Sequence, residues 1–157
     1  MTALGQVLIA TSVLAWGIIY GTDVFSAIVL RPALALVDDR TLVSIMGRVH
    51  DFGDRRLRVP GVAGLVAAIL GTAVVAWAGH LAATIAGAIA VVALAGWLII
   101  YARISAPINS RLTAASQRDE TPADARRLQQ RWDSVITPRS GLQMLAILSL
   151  CTALITS

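Results

Sequence analysis

The longest stretch of this chain without a charged side chain, residues 59–102, sets the class of fold. It is interrupted only by Gly79 and His80, and each half is about 20 apolar residues long, the length that an α-helix needs to cross a bilayer. A β-barrel strand would alternate apolar and polar residues, and this stretch does not. The pattern therefore predicts two membrane-spanning helices, at about residues 59–79 and 81–103, joined by a tight turn.

Two further apolar segments complete a four-span bundle. One covers about residues 4–30 and contains a single ionisable residue, Asp23, and the other covers about residues 139–156. The whole sequence is 57% hydrophobic and 14% charged, as expected for a chain whose surface faces lipid. We therefore expect one domain over residues 1–157, an all-α integral membrane four-helix bundle.

The polar segment before the last span carries its own helix signals. Thr121 and Pro122 suit a helix cap and a first helical position, and apolar side chains from Ala125 to Val135 recur on one face. This pattern predicts an additional cytoplasmic amphipathic helix over about residues 122–135, lying under the bundle or on the membrane surface.

All 13 basic residues are arginines, and they lie in two segments, Arg31–Arg58 and Arg103–Arg139. Because positively charged loops stay in the cytoplasm, we expect both segments there and both termini and the His80 turn on the outer face. The all-arginine, alanine-rich composition is typical of a bacterial protein, so the expected location is a bacterial inner membrane. We expect the arginines to contact the lipid bilayer, and we expect no nucleic-acid partner.

Asp23 is the residue that is most costly to place in lipid. A charged, unpaired carboxylate inside a membrane costs several kcal/mol, so Asp23 should face the bundle interior and find a partner. Tyr20 and Trp16 lie at nearby helix positions and would line the same cavity wall. Two interpretations stay open: Asp23 belongs to a functional site, or it only locks onto an arginine of the polar segments.

A second polar cluster precedes the second span and consists of His50, Asp51, Asp54, Arg55 and Arg56. On a helix His50 and Asp54 would share a face, where they could hold a divalent metal or act as a base oriented by an acid. A three-ligand metal site would also need another carboxylate, such as Asp23. The alternative is an exposed ion-pair network at the membrane edge.

A third group returns to the same edge of the membrane and consists of Asn109, Arg111, Trp132 and Arg139. The amide and guanidinium groups can donate hydrogen bonds to an oxyanion, a phenolate or a lipid headgroup. The alternative is interfacial anchoring, which tryptophan and arginine commonly provide.

Short polar motifs flank three of the predicted spans. They are Arg31-Pro32-Ala33-Leu34 after the first span, Pro107-Ile108-Asn109-Ser110-Arg111-Leu112 after the third, and Trp132 followed by Arg139 before the last. Their order resembles that of the anthrone-oxygenase-like family of small four-span membrane proteins. In that family a His or Asn often stands between the tryptophan and the arginine, whereas this chain has Asp133-Ser134-Val135-Ile136-Thr137-Pro138 there.

The resemblance implies oxidation of an activated aromatic, such as an anthrone to an anthraquinone, by molecular oxygen and without a required cofactor. For this chain the candidate catalytic residues are Asp23, His50, Asn109, Arg111 and Arg139. The candidate substrate-binding residues are Tyr20, Trp132 and Arg55. A divalent metal held by His50, Asp54 and Asp23 stays an alternative.

The function predicted from the sequence is therefore that of a membrane-embedded, oxygenase-like enzyme acting on an activated aromatic or another hydrophobic small molecule. The alternative is a non-enzymatic membrane module that binds a lipid, a quinone or a partner membrane protein. A transporter is a third possibility. A single intramembrane carboxylate and the lack of paired broken helices argue against it, although a homo-oligomer could supply the repeats.

Overall fold

The computed structural model describes residues 3–157, which are helical apart from short connections. Five helices follow one another: α1 (Ala3–Leu34), α2 (Asp39–Arg56), α3 (Arg58–Trp77), α4 (Leu81–Gln117) and α5 (Ala125–Thr156). Within the described residues, all of these helices except α2 are long and apolar enough to cross a membrane. The predicted all-α fold with four membrane-length helices is confirmed.

Two prolines that we expected at the ends of spans lie inside continuous helices. Each follows a five-residue π-helical segment, Ser26–Leu30 before Pro32 and Tyr101–Ser105 before Pro107. Proline has no N–H, so the helix loses one bond to the carbonyl four residues earlier. The wider π turn changes the hydrogen-bonding register at that point, and both helices continue towards the arginine-bearing end of the bundle.

The expected break between an amphipathic helix at residues 122–135 and a last span at 139–156 does not occur. The predicted helix start at Thr121 and Pro122 is wrong, because α5 begins at Ala125. Residues 125–135 form the first part of α5, which runs unbroken across Pro138. Trp132 and Ile136 before the proline and Arg139 after it are all buried. Packing on both sides of Pro138 therefore holds the helix together and outweighs the loss of one backbone bond.

The fifth helix, which is not a membrane-length helix, is α2, and it lies within the first arginine segment. The Asp38 carboxylate caps it by accepting a hydrogen bond from the Thr41 backbone N–H at 2.7 Å. Arg55 and Arg56 occupy its last turn, where positive charge stabilises a helix. Gly47 allows α2 to approach α4 closely, since a Cβ there would lie 2.6 Å from the Leu112 carbonyl oxygen. The first arginine segment is therefore a packed helix.

Two hydrophobic clusters hold the five helices together. The membrane cluster is built on the spans and includes Ile9, Trp16, Ile19, Ala68, Val75, Ala90, Leu94, Trp97, Ala146 and Leu150. The second cluster lies at the arginine-bearing end and includes Leu34, Leu42, Val43, Met46, Ile108, Leu112, Trp132 and Ile136. Many of the buried residues on α4 are alanines, which lets neighbouring backbones approach closely.

Helices α1 and α3 pack closely at two glycines of α3. A Cβ at Gly64 would lie 2.8 Å from Trp16 Cδ1, and a Cβ at Gly71 would lie 2.8 Å from Ile9 Cγ1. By contrast, a Cβ at Gly21 of α1 would meet no atom within 4 Å. The two glycines should therefore respond differently to an added methyl group.

We expect Gly64→Ala to lower the free energy of unfolding in detergent by about 1–3 kcal/mol, because the methyl group overlaps the Trp16 ring. The matched control, Gly21→Ala, should leave that free energy unchanged or raise it by up to about 1 kcal/mol, because alanine favours a helix. Unfolding followed by circular dichroism measures both variants. Equal effects of the two substitutions would contradict the close packing of α1 on α3.

Candidate functional site

A cavity of about 430 Å³ lies where the membrane cluster meets the second cluster. All five helices contribute side chains to it. Its aromatic lining residues are Trp16, Trp97, Tyr101 and Trp132. Its polar lining residues are Thr22, Asp23, Ser26, His50, Asp54, Arg58, Asn109 and Arg139. The fold therefore gathers in one place polar residues that are far apart in the sequence.

Asp23 and Arg139 form a buried ion pair on one wall of the cavity. Arg139 Nη2 lies 2.9 Å from Asp23 Oδ1, and each side chain is 5% exposed. Trp97 Nε1 donates to Asp23 Oδ2 at 3.3 Å, and Arg139 Nη1 donates to Ser105 Oγ at 2.8 Å. Asp23 is thus locked onto an arginine of the polar segments, and both of its oxygens are hydrogen-bonded.

Three aromatic rings surround the guanidinium group of Arg139. Its Cζ atom lies 5.2 Å from the ring centre of Trp97, 5.8 Å from that of Tyr101 and 5.6 Å from that of Trp132. The Trp97 and Tyr101 rings are themselves stacked, with centres 5.2 Å apart. Cation–π attraction adds to the ion pair here, so Arg139 is held firmly in place.

Asp54 organises a second polar part of the cavity. Tyr101 Oη donates to Asp54 Oδ1 at 2.7 Å, and Asn109 Nδ2 lies 3.0 and 3.1 Å from the two carboxylate oxygens. Because a carboxylate only accepts hydrogen bonds, the amide group of Asn109 must direct its NH₂ towards Asp54. The Asn109 carbonyl oxygen is buried and has no hydrogen-bond partner among the described residues.

His50 is a buried titratable residue with a free ring nitrogen. Its side chain is 4% exposed, and Nε2 has no hydrogen-bond partner in the described part of the chain. The imidazole ring packs against Trp132, with ring centres 5.3 Å apart. Burial, and then the positive charge of Arg139, lower the pKa of His50 to about 3. The imidazole is therefore neutral at physiological pH.

Five buried polar atoms without a partner in residues 3–157 belong to residues that line this cavity. They are Trp16 Nε1, His50 Nε2, Asn109 Oδ1, Trp132 Nε1 and Arg139 Nε. Buried polar atoms are normally hydrogen-bonded, because an unsatisfied one costs about 1–3 kcal/mol. These unsatisfied atoms are thus concentrated in the side chains around one cavity.

The structure brings together five of the eight predicted catalytic and substrate-binding residues. Asp23, His50, Asn109, Trp132 and Arg139 line the cavity. Their common property is that each is at least partly polar and almost fully buried, at 4–6% exposure.

The other three predicted residues do not line this cavity. Arg111 pairs with Asp124 at 2.8 Å on the surface, and Arg55 pairs with Asp51 within α2. Tyr20 lies in a separate apolar groove with residues of α5, at the edge of the buried face of α1. Two of these residues are arginines that find carboxylates at the surface, where a charged group remains hydrated.

The alternative of a divalent metal held by His50, Asp54 and Asp23 finds no support in the arrangement of these side chains. The described residues contain no group of three or more His, Cys, Asp or Glu side chains that could hold a metal ion. Asp23 is occupied by Arg139 and Trp97, and Asp54 is occupied by Tyr101 and Asn109. Neither carboxylate is therefore free to join His50 as a ligand.

Sequence reasoning missed three site residues on α4, namely Trp97, Tyr101 and Ser105. They donate to Asp23, donate to Asp54 and accept from Arg139, respectively. Together with Asn109 they follow one another at intervals of four residues. Because residues four apart lie on one helix face, this aromatic and polar stripe was the signal that could have found them.

The fold and the site together define a class: an all-helical protein with four membrane-length helices and a polar, aromatic-lined cavity at one end of its membrane cluster. No protein-family model, no curated protein and no solved structure matches the chain.

We expect Asp23→Asn to destabilise the protein by about 3–5 kcal/mol, because Arg139 is left as an uncompensated buried charge. Arg139→Gln should destabilise the protein by a comparable amount, because it leaves the Asp23 carboxylate buried without its partner. The double variant should lose less stability than the two single variants lose together. Unfolding in detergent completes this double-mutant cycle. As a control, Asp119→Asn removes an exposed ion pair with Arg40 and should have little effect. Additive effects at Asp23 and Arg139 would show that the pair is not coupled.

Proposed function

We propose that this chain is a membrane-embedded, oxygenase-type enzyme that oxidises an activated aromatic or another hydrophobic small molecule. The observation that carries the proposal is the neutral, buried His50, whose free ring nitrogen belongs to an aromatic-lined cavity. Such a cavity suits a flat apolar molecule, and a neutral imidazole suits proton abstraction.

The cavity opening supports a hydrophobic substrate. Val49, Val62 and Leu98 line the cavity and are 42%, 60% and 45% exposed, so they mark its mouth. Val62 and Leu98 belong to membrane-length helices, whose exposed side chains face lipid in a bilayer. A hydrophobic molecule could thus enter from the membrane without crossing water.

In the proposed reaction His50 removes a proton from an activated CH₂ group of the substrate. The resulting electron-rich anion reacts with molecular oxygen, and the CH₂ group becomes a carbonyl while one water is released. Asp23 is the less suitable base, because Arg139 and Trp97 hold both of its oxygens. The low pKa of His50 makes it a weak base in the empty cavity. Negative charge developing on the substrate would counter the effect of Arg139 and raise that pKa.

The remaining cavity residues suit stabilisation of the anion. Arg139 Nε and Trp132 Nε1 are buried donors without a partner, and the Arg139 charge lies in the same wall. Fixed donors aimed at developing charge in a dry site are an effective means of lowering a barrier. The Trp132 ring offers a stacking surface, and Asn109 Oδ1 offers an acceptor for a substrate hydroxyl group.

The second candidate function is a membrane module that binds a lipid, a quinone or a partner membrane protein without turnover. One observation favours it: Asp23 is paired with Arg139, and Asp54 is hydrogen-bonded to its neighbours Tyr101 and Asn109. The cavity is thus preformed, and binding alone would need no catalytic group. Only the role of His50 distinguishes the two candidates.

The test uses the purified protein in nanodiscs with anthrone as the probe. The enzyme proposal predicts oxygen uptake and anthraquinone formation above that of empty nanodiscs. His50→Gln should lower the rate by about 100-fold or more while leaving the fold intact. His80→Gln, which changes the other histidine at the opposite end of α3, is the matched control and should retain the rate. Binding of anthrone without oxygen uptake would instead indicate the non-enzymatic module.

The pH dependence of the same reaction gives a separate prediction. Because the pKa of His50 is lowered to about 3, the proton-accepting form is present at every pH above that value. The second-order rate constant should therefore show no inflection near pH 6.5, the usual pKa of histidine. It should fall only under strongly acidic conditions. A clear inflection near pH 6.5 that disappears in His50→Gln would contradict the buried, neutral state.

We further propose that the protein lies in a bacterial inner membrane with its arginine-bearing end in the cytoplasm. The support is that all 13 basic residues lie in the two arginine segments, 31–58 and 103–139, and none lies near the termini or the His80 turn. In a Cys151→Ala background, Ser157→Cys should react with an impermeant maleimide on intact cells. Arg118→Cys should react only after the cells are permeabilised, and the reverse pattern would invert the orientation.

A further inference from the structure

A positive charge without a partner lies at the mouth of the cavity. Arg58, the first residue of α3, lines the cavity and is exposed. No carboxylate of residues 3–157 forms an ion pair with it. The other cavity arginine, Arg139, is neutralised by Asp23. Arg58 is therefore free to bind a negatively charged group of a ligand.

Three residues that line the cavity also carry buried hydrogen-bond donors without a partner among the described residues, which favours a ligand rich in acceptor oxygens. Trp16 Nε1, Trp132 Nε1 and Arg139 Nε can only donate hydrogen bonds. A ligand with carbonyl, carboxylate or phenolate oxygens would satisfy any of them that a small side-chain rotation brings to the cavity surface. An ammonium group would leave all three unpaired, and Asp54, the carboxylate that could attract it, is already held by Tyr101 and Asn109.

The arrangement of charge and apolar surface matches that of a molecule lying in a bilayer. Arg58 begins a membrane-length helix, so its charge lies near the boundary between lipid and water. One and two turns further along α3, Val62 and Leu65 line the same cavity. A molecule entering from the bilayer with its charged end at the boundary would place that end next to Arg58 and its apolar body inside.

We propose that the ligand of this cavity is an anionic amphiphile. Its charged oxygen group binds Arg58 at the mouth, and its apolar ring system or chain lies among the tryptophans. This proposal rests on the proposed function in one respect, that the cavity is the ligand site. What it adds is that the ligand carries a negative charge. The anionic group belongs either to a free hydrophobic acid or to the headgroup of an anionic lipid, and both present the same chemistry to Arg58.

The test compares two probes of the same shape, anthracene-2-carboxylate and anthracene-2-methanol. The protein is placed in nanodiscs of zwitterionic phosphatidylcholine, and energy transfer from tryptophan to anthracene reports binding after subtraction of empty nanodiscs. Wild-type protein should bind the carboxylate about two- to fivefold more tightly than the alcohol, the range of an exposed ion pair. Arg58→Gln should abolish this preference without weakening alcohol binding.

Two further variants separate the specific role of Arg58 from general charge and from folding. Arg56→Gln removes the same charge two residues earlier, from an exposed side chain that lies over the Phe52 ring and does not line the cavity. It should keep the preference for the carboxylate, and so should Arg58→Lys, which keeps the charge. Equal loss of preference in Arg56→Gln and Arg58→Gln would overturn the proposal.

The outcomes also distinguish this proposal from the proposed function. If the alcohol and the carboxylate bind equally well to wild-type protein, the cavity takes flat apolar molecules and only the anionic ligand is refuted. If neither probe binds, the cavity is not a site for such molecules and both proposals fail.

A last comparison identifies the source of the anionic group. In nanodiscs that contain phosphatidylglycerol, a lipid headgroup on Arg58 would compete with the carboxylate probe in wild-type protein and not in Arg58→Gln. An equal change in both proteins would reflect surface charge alone and would assign the site to a free hydrophobic acid.

Discussion

The buried ion pair between Asp23 and Arg139 is the interaction on which the site depends. It joins the first and last spans directly, and Trp97 and Ser105 of α4 bond to its two members. Removing two charges from water offsets most of their mutual attraction, so such a pair adds little net stability. Its effect is on specificity: any sliding of α5 along α1 would leave two buried charges apart. The pair therefore sets the relative position of three helices.

The π-helical segments supply the second condition for the site. Asp23 lies just before one segment, and Tyr101 begins the other. A π turn contains more residues than an α turn, so it rotates the side chains that follow it relative to those before it. On α4 this rotation lies between Trp97, which bonds to Asp23, and Asn109, which bonds to Asp54. The same feature that lets the helix continue past a proline thus directs two polar groups to one cavity.

The sequence was sufficient for the four spans, because long runs without charge have few alternatives to a membrane helix. The sequence was not sufficient to predict where these helices begin and end. The prolines at 32, 107 and 138 each suggested a boundary, yet each helix continues, since burial of the following residues outweighs one missing backbone bond. The site was partly predictable for a related reason. Asp23 and His50 are costly to bury, which made them conspicuous, whereas Arg111 and Arg55 have ordinary surface partners that the sequence does not reveal.

The charges around the cavity explain why one small site can be both polar and open to an apolar molecule. Asp23 is neutralised by Arg139, and Asp54 is held by two neutral donors, so no interior charge requires a ligand for its own satisfaction. What remains unsatisfied is a set of N–H donors, one amide oxygen and the neutral His50. Because Asp23, Arg139 and Asp54 are held within the protein and Arg58 at the mouth has no carboxylate partner in residues 3–157, a ligand would enter without having to break an ion pair. In the proposed complex the unpaired groups would select the ligand by its oxygen atoms, and aromatic rings would cover the rest of its surface.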